Sequence, residues 1–566
     1  MRKELHAATD FNVDVSRSGL LYEERHIEAL MAYIAGLGAT RVEWVIKQTA
    51  LMERGYPGGF DLLAVAVDRA HAHGMEFYAI FKPFEGCFGF GLPHSFPRPE
   101  GVPLLEDMRG PMPIVDPFVA AHPHLRFKRR PGDEDPGGPL GTLKLIKGDT
   151  DRTRIKKEHL SVWSSPQNNR LTRYEQDFKL TETLEWRPGF PLHYQGRVLT
   201  LEGLRIPEDH RYIVVRCSLA DGQGDFTNLH YQMVELFNDR GQAVPSTPAT
   251  PPGEDVTGPR PGLRRFTLWR MNNAYFRTPE VQALLDDPES LREHFRDCYN
   301  YDFNFYREGV HPDRCYTLDG RGSIAVARGK NEYLPGPLHP IYPEVREYWM
   351  GWVRFCIERG VDGMDFRVGN HSDRSHDKGQ YGFNEPVLEK AGGVDRDAVA
   401  RVSGDAYTQF LAEARDELKR HGKSICVHVN SNMLAQDARG LGQGPLPPNV
   451  EWQWERWIRE IADSVLIRGL FRLREPEHHF VVDRVSRVAR EAGKKLIYQS
   501  TIKETREAML AGPAPRVAWE MDYVRGHERV DAYQLYETAN FTRINDQGDF
   551  EGSERIAALV RRHLLV

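Results

Sequence analysis

The feature that most constrains this chain is a rhythm. An extended apolar run gives way to a helical pattern and then to another extended run, from the first residues onward and again after a long interruption. In the first part the extended runs cover residues 5–13, 41–47 and 76–81, with helical patterns over 23–35 and 61–73 between them. Strands separated by helices of this length read as right-handed βαβ units on a parallel sheet. The rhythm returns with a helix over 343–359 and a strand over 361–368. Further strands follow at 424–429, 464–468, 495–499 and 532–537, and helices at 405–421, 455–461, 480–492 and 554–564. Three strands before the interruption and five after it make eight. That is the count of a (β/α)8 TIM barrel, with an open doubly wound sheet as the alternative.

The interruption has its own character. Residues 91–141 are crowded with proline and glycine (PHSFPRPEGVP, RRPGDEDPGGPLG), and a second such stretch, PSTPATPPGEDVTGPRPG, covers 245–262. Between them lie short β-like runs at 142–146, 179–186, 197–204, 212–219 and 231–237, the pattern of a small β-sandwich. The expected organisation is therefore 1–90 as the first part of the barrel, 91–262 as Pro/Gly-rich linkers and an inserted β-sandwich module, and 263–566 as the remainder of the barrel.

Composition narrows the function classes. With 40% apolar and 28% charged residues, 27 Phe, 22 Tyr and 10 Trp, the chain can bury a large core. Lys and Arg total 75 against 81 Asp and Glu, so the bulk positive field used in nucleic-acid binding is missing. The six cysteines are scattered without a CxxC pair and read as free, mostly buried thiols. No run approaches the roughly 18 apolar residues of a membrane span, and the start, MRKELHAATDFNVD, has no apolar signal core. The expectation is no membrane partner and a cytoplasmic location as written, or a secreted or periplasmic one if a leader has been removed. Phosphate loops, dinucleotide fingerprints, HExxH and GxSxG motifs are absent, so no cofactor and no metal is expected.

In a barrel the chemistry lies at the C-terminal strand ends. Strand four reads VDGMDFRVGNHSD, and its two-residue period puts Asp365 and Arg367 on the inward face. Two readings stand: a structural ion pair closing the barrel, or a catalytic carboxylate held ionised by the arginine. Strand five offers His428, Asn430 and Asn432, strand seven Gln499, strand eight Glu537, strand three Lys82 and Glu85, and strand two Lys47 and Gln48. On strand one His6, Asp10, Asn12 and Asp14 fall on a single face. Polar groups at so many strand ends suit a hydroxyl-rich ligand. The loop after strand four holds His371, Asp373, His376 and Asp377, either a metal set or a solvated loop lending His371 and Asp373 to the substrate mouth. Trp452, Trp454 and Trp457 are either core or a sugar-stacking surface.

Two segments, FDLLAVAVDRAHAHGMEFYAIFKPFE and YPEVREYWMGWVRFCIERGVDGMDFRV, resemble the glycosyl-hydrolase-like family 10 proteins, as does YGFNEPVLEKAGGVD. The resemblance implies a (β/α)8 fold, action on glycosides and a strand-four aspartate at Asp365. The signature here runs DFRVGNH, without a second carboxylate, which leaves the partner of Asp365 open. The expected function is a glycoside hydrolase acting on an oligo- or polysaccharide with two carboxyl groups, Asp365 and Glu537. Glu85, Asp373 and Asp14 stand in reserve for the second. Substrate-binding candidates are Arg367, His371, Asp373, His428, Asn430, Gln499, Lys82, Glu85 and Trp454. The alternatives are a non-catalytic carbohydrate-binding protein on a degenerate barrel and a metal-dependent barrel isomerase or lyase using the 371–377 cluster.

Overall fold

The structure, a computed structural model, describes residues 3–11, 14, 22–46, 56, 59–87, 105–108, 110–112, 115–132, 134–147, 150–166, 171–187, 194–217, 234–248, 323–369, 372, 378–434, 446–468, 475–502, 515–545 and 547–564. Eight parallel strands close into a barrel in chain order: β1 (Glu4–Thr9), β2 (Arg41–Ile46), β3 (Glu76–Phe81), β4 (Gly363–Phe366), β5 (Ser424–Asn430), β6 (Ser464–Arg468), β7 (Lys495–Thr501) and β8 (Ala532–Tyr536), which returns to β1. Helices α1 (Glu24–Gly36), α2 (Leu62–Ala72), α3 (Pro343–Glu358), α4 (Arg396–Arg420), α5 (Glu475–Glu491), α6 (Pro515–Gly526) and α7 (Glu554–His563) alternate with them, and between β5 and β6 the described residues hold the short helical segments Ser431–Leu434, Trp454–Arg456 and Trp457–Ile461. This is the (β/α)8 arrangement expected from the rhythm.

Strand periodicity sorts the side chains. Ala8, Val45, Ile80 and Tyr536 form one small layer, and Cys426, Leu466, Ile497 and Ala532 another. Their sequence neighbours, among them Ala7, Trp44, Ala79, Val427 and Leu535, join the main cluster shared with the helices. Alternate residues thus face the barrel interior and the helix layer. The α3 helix begins with Pro343, whose missing N–H costs nothing in the first turn. It buries Val345, Trp349, Trp352, Val353 and Cys356, spaced to form one stripe against the sheet. Glycine is required at 363, where a Cβ would come within 2.4 Å of the Tyr78 ring inside the barrel. Cys87, Cys217, Cys356 and Cys426 are buried free thiols among the described residues.

Three strands start with the same device. Asp362, Asp463 and Asp531 immediately precede β4, β6 and β8. Their carboxylates accept backbone N–H groups of the preceding strands, from Phe77 (2.8 Å), Ile425 (3.0 Å) and Leu496 (2.8 Å) respectively. Each carboxylate fixes one strand's register against its predecessor at the N-terminal face, opposite the site.

The first strand is shorter than its apolar run suggests. It ends at Thr9, and the Asp14 N–H bonds the Asp10 carbonyl at 3.2 Å, so the chain turns there. The expected strand face carrying His6, Asp10, Asn12 and Asp14 is therefore broken after the strand, and Asn12 lies outside the described residues.

The insertion leaves the barrel between β3 and β4. Segments Arg126–Lys128 and Tyr333–Leu338 pair antiparallel as its neck, and Leu125, Phe127, Leu334 and Leu338 belong to the barrel's own cluster. Beyond the neck are two five-stranded sheets. One contains Lys179–Arg187, Tyr194–Ile206, Leu140–Ile146, Val234–Asn238 and Ala243–Val244. The other contains Ser246–Pro248, Ser323–Arg328, Tyr212–Cys217, Leu160–Ser165 and Thr172–Arg173. Leu143, Leu145, Leu199, Leu201 and Leu236 of the first share a single hydrophobic cluster with Val162, Ile213, Val215 and Val326 of the second. Ser323–Arg328 carries the second sheet past residue 262.

Candidate active site

Polar residues collect at two levels of the barrel. At the C-terminal rim, the ends of four strands bring together Asp10, Lys82, Glu85, Arg367, Tyr536 and Glu537. Lys82 Nζ lies 3.2 Å from Glu85 Oε2 and 3.7 Å from Asp10 Oδ2, with all three side chains buried. Arg367 Nη1 donates to Tyr536 Oη at 3.1 Å, and its guanidinium lies over the same ring, 5.2 Å from the centroid. Glu537 follows β8 through a cis peptide bond and is half-buried.

Asp10 is a rim carboxyl strongly altered by its surroundings. Burial pushes it up to about 7; Lys82 and Arg367 oppose the shift, and the charges of Glu537 and Glu85 add to it. Near neutral pH it therefore carries a proton for much of the time, within reach of the charge of the half-buried Glu537. Asp14 acts elsewhere, accepting from Thr538 Oγ1 at 3.0 Å and so tying the turn after β1 to the segment after β8.

The second level is the barrel interior. Asp365 is fully buried, and its partner there is His428: His428 Nε2 and Asp365 Oδ2 are hydrogen-bonded. Arg367, which the alternation places beside Asp365, turns instead to Tyr536. The third member is Glu43 of β2, also fully buried, with His6 Nδ1 3.4 Å from its Oε1. Burial and the neighbouring Glu43 charge raise Asp365 well above the usual carboxylate range, against the weaker pull of Arg367 and Arg41. Burial also acts to raise Glu43, but His6, Arg41 and the Asp365 carboxyl beside it outweigh that and bring it down to about 2. His428 is pushed down to about 3 by burial, reinforced by Arg367 and Lys82, so its imidazole is neutral. Two adjacent carboxyl groups of which one keeps its proton is what electrostatics demands in a dry interior.

Glu43 is absent from the candidates drawn from strand ends, although the sequence carries a signal for it. In RVEWVI, Arg41 and Glu43 alternate with Val42 and Trp44, so a fully buried strand carries two charges on its inward face. The remaining candidates are dispersed. Gln499 Nε2 donates to Gln534 Oε1 in the interior. Asn430 Oδ1 accepts the Asn432 N–H at 2.9 Å and steadies the turn after β5. Trp452, Trp454 and Trp457 are all buried in the main cluster, Trp454 to 3% exposure. Near the end of β8, Arg543 pairs with Glu551. Lys47, Gln48, His371, Asp373, His376 and Asp377 lie outside the described residues. No helix among the described residues is long and apolar enough to cross a membrane.

No protein-family model matches this chain, and no curated protein matches it. Solved structures do match part of it. They include the glycoside hydrolase domain of PelA from Pseudomonas aeruginosa, at 9% identity and a TM-score of 0.22 over 36% of this chain, just under two thirds (65%) of that structure's length. A chitinase from Chromobacterium violaceum matches at 12% identity and 0.25, over 40% of this chain and 74% of its own. Catalytic domain 2 of a Group II chitinase from Ostrinia furnacalis matches at 10% and 0.24, over 40% and 72%. Likenesses this distant carry no functional argument; the barrel rests on its own strand pairing and the chemistry on its own residues.

Proposed function

We propose that the chain hydrolyses glycosidic bonds of an oligo- or polysaccharide, with Glu537 and Asp10 as its two carboxyl groups. The observation that supports this reading is Asp10, raised to about 7 at the barrel mouth by burial and by the charges of Glu537 and Glu85. Glycoside hydrolysis needs one carboxylic acid that still holds its proton near neutrality and one carboxylate as nucleophile or base, on either side of an oxocarbenium-like transition state. Asp10 donates its proton to the departing glycosidic oxygen. Glu537, half-buried at the end of β8, supplies the carboxylate. Lys82, Glu85 and Arg367 hold the Asp10 charge balance. The sequence resemblance to glycosyl-hydrolase-like family 10 agrees with this activity and nominates Asp365. Asp365 sits deeper, engaged with His428, and serves the site from behind. The two inserted sheets, read as a β-sandwich, extend the substrate-facing surface.

The test is reducing-end release from a panel of α- and β-linked oligosaccharides and polysaccharides. Asp10→Asn and Glu537→Gln are each expected to lower kcat by about 10²–10⁴-fold, the usual contribution of a positioned proton-transfer group. Wild-type turnover is expected to fall as pH rises through about 7, where Asp10 loses its proton. Loss in Asp365→Asn with activity kept in Asp10→Asn would move the proton donor back to Asp365. No cleavage anywhere on the panel would sink the hydrolase reading.

A further inference from the structure

Behind the rim lies a group of residues that the hydrolytic reading does not use. We propose that the barrel interior binds a divalent first-row transition-metal ion between Glu43, Asp365 and His428. One donor atom from each lies within 4.8 Å of the other two, and the residues are 0%, 0% and 2% exposed. They come from β2, β4 and β5, which are rigid elements, so the donors are held in place before any ion arrives.

The second observation is what these donors lack. Both carboxylate oxygens of Glu43, Oδ1 of Asp365 and Nδ1 of His428 are buried without a hydrogen-bond donor or acceptor from the described residues. A buried carboxylate oxygen left in that state carries its desolvation penalty uncompensated. Of the nearby cations, Arg41 acts on Glu43 through its charge and keeps Nη1 without a hydrogen-bond partner among the described residues, while its other nitrogens and the remaining cations are engaged elsewhere. Arg41 Nε and Nη2 donate to Glu76 at 3.0 and 2.8 Å, Lys82 pairs with Glu85 and Asp10, and Arg367 donates to Tyr536. Glu43 and Asp365 thus share one dry space in which His6, 3.4 Å from Glu43, and His428, bonded to Asp365, are near neighbours and Arg41 adds its charge.

Two adjacent buried carboxyl groups can be balanced by a proton or by a cation. A proton placed between them satisfies one oxygen of each and leaves the other Glu43 oxygen without a hydrogen bond, His6 Nδ1 lying 3.4 Å from Oε1. A metal ion takes lone pairs from both carboxylates and from the neutral imidazole together. One nitrogen and two oxygen donors suit Mn2+, Fe2+ or Zn2+ better than Ca2+ or Mg2+, which favour all-oxygen sites. The ion would tie three strands together from inside, below the rim. The inference does not depend on the hydrolase reading, and its test measures metal rather than turnover.

The full chain, expressed in medium supplemented with Mn2+ and Zn2+ and desalted without chelator, is expected to retain about one transition-metal ion per chain by mass spectrometry. Its Tm should drop when the ion is removed, since an ion bound only by the folded state stabilises it. Glu43→Gln and His428→Gln should each lose the ion. Loading the wild type with Co2+ gives a readout that no variant has to fold for: visible d–d bands shifted from those of aqueous Co2+ support imidazole and carboxylate ligation. Wild-type content below about a tenth of an equivalent, together with a purely aqueous Co2+ spectrum, would overturn the proposal and leave a proton between the carboxyls. So would folded variants that keep the wild-type metal content.

Discussion

Asp10 joins function to stability at a single residue. Its carboxyl is raised from 3.8 to about 7 in the folded chain, so between roughly pH 4 and 7 the folded state binds a proton that the unfolded state has released. Stability attributable to this residue therefore falls as pH rises through that window; below about 4 both states are protonated, and above about 7 the cost is constant. Asp10→Asn cannot ionise and escapes the cost. In urea titrations the variant should gain on the wild type from pH 4 to pH 8, by on the order of a few kcal/mol, while its turnover is lost. A difference that is flat with pH, or that grows in the wild type's favour, would mean that Lys82 keeps Asp10 ionised throughout. The candidate site is only partly legible in the sequence at this scale. Strand ends point to Asp365, Arg367, His428, Lys82, Glu85 and Glu537, and the strand-one run to Asp10 and Asp14. Which carboxyl meets which base is not legible there, because a two-residue period sorts faces and says nothing about distance across a barrel.

At the scale of elements, the aspartates before β4, β6 and β8 explain how short strands hold register. The β4 strand is only four residues long, yet Asp362 accepts the Phe77 N–H and so anchors it to β3. Asp463 and Asp531 do the same for β6 against β5 and β8 against β7. The repeat is visible in the sequence as VDGMDF, ADSVLI and VDAYQL, a valine or alanine, then aspartate, then a small residue leading into the strand. Asp463→Ala and Asp531→Ala should each destabilise the chain by about 1–3 kcal/mol, the cost of stranding a part-buried N–H that had bonded a charged group. Chemical denaturation would read this as a lower midpoint with an unchanged slope. Wild-type midpoints in both variants would show that strand packing alone fixes the register.

For the molecule as a whole, the neck between Arg126–Lys128 and Tyr333–Leu338 divides the inserted sheets from the barrel. Phe127, Leu334 and Leu338 of the neck belong to the barrel cluster, whereas the two sheets share a cluster of their own, so each has a separate hydrophobic core. Replacing residues 131–331 with a short turn joining the neck strands should leave a barrel that unfolds cooperatively, with a near-UV circular dichroism signal from its buried tryptophans. A molten or aggregated product would show instead that the sheets are needed for the barrel to close. The number of strands, their order, the place of the insertion and the inward face of β4 were determined by the sequence itself, because apolar periodicity and turn composition act within a few residues along the chain. The early end of β1, the turn of Arg367 toward Tyr536, the pairing of Ser323–Arg328 into the second sheet and the meeting of Glu43 with Asp365 and His428 were decided only in the tertiary structure. Those contacts join residues tens to hundreds of positions apart, and their energies depend on burial and on neighbouring charges that exist only once the barrel has closed.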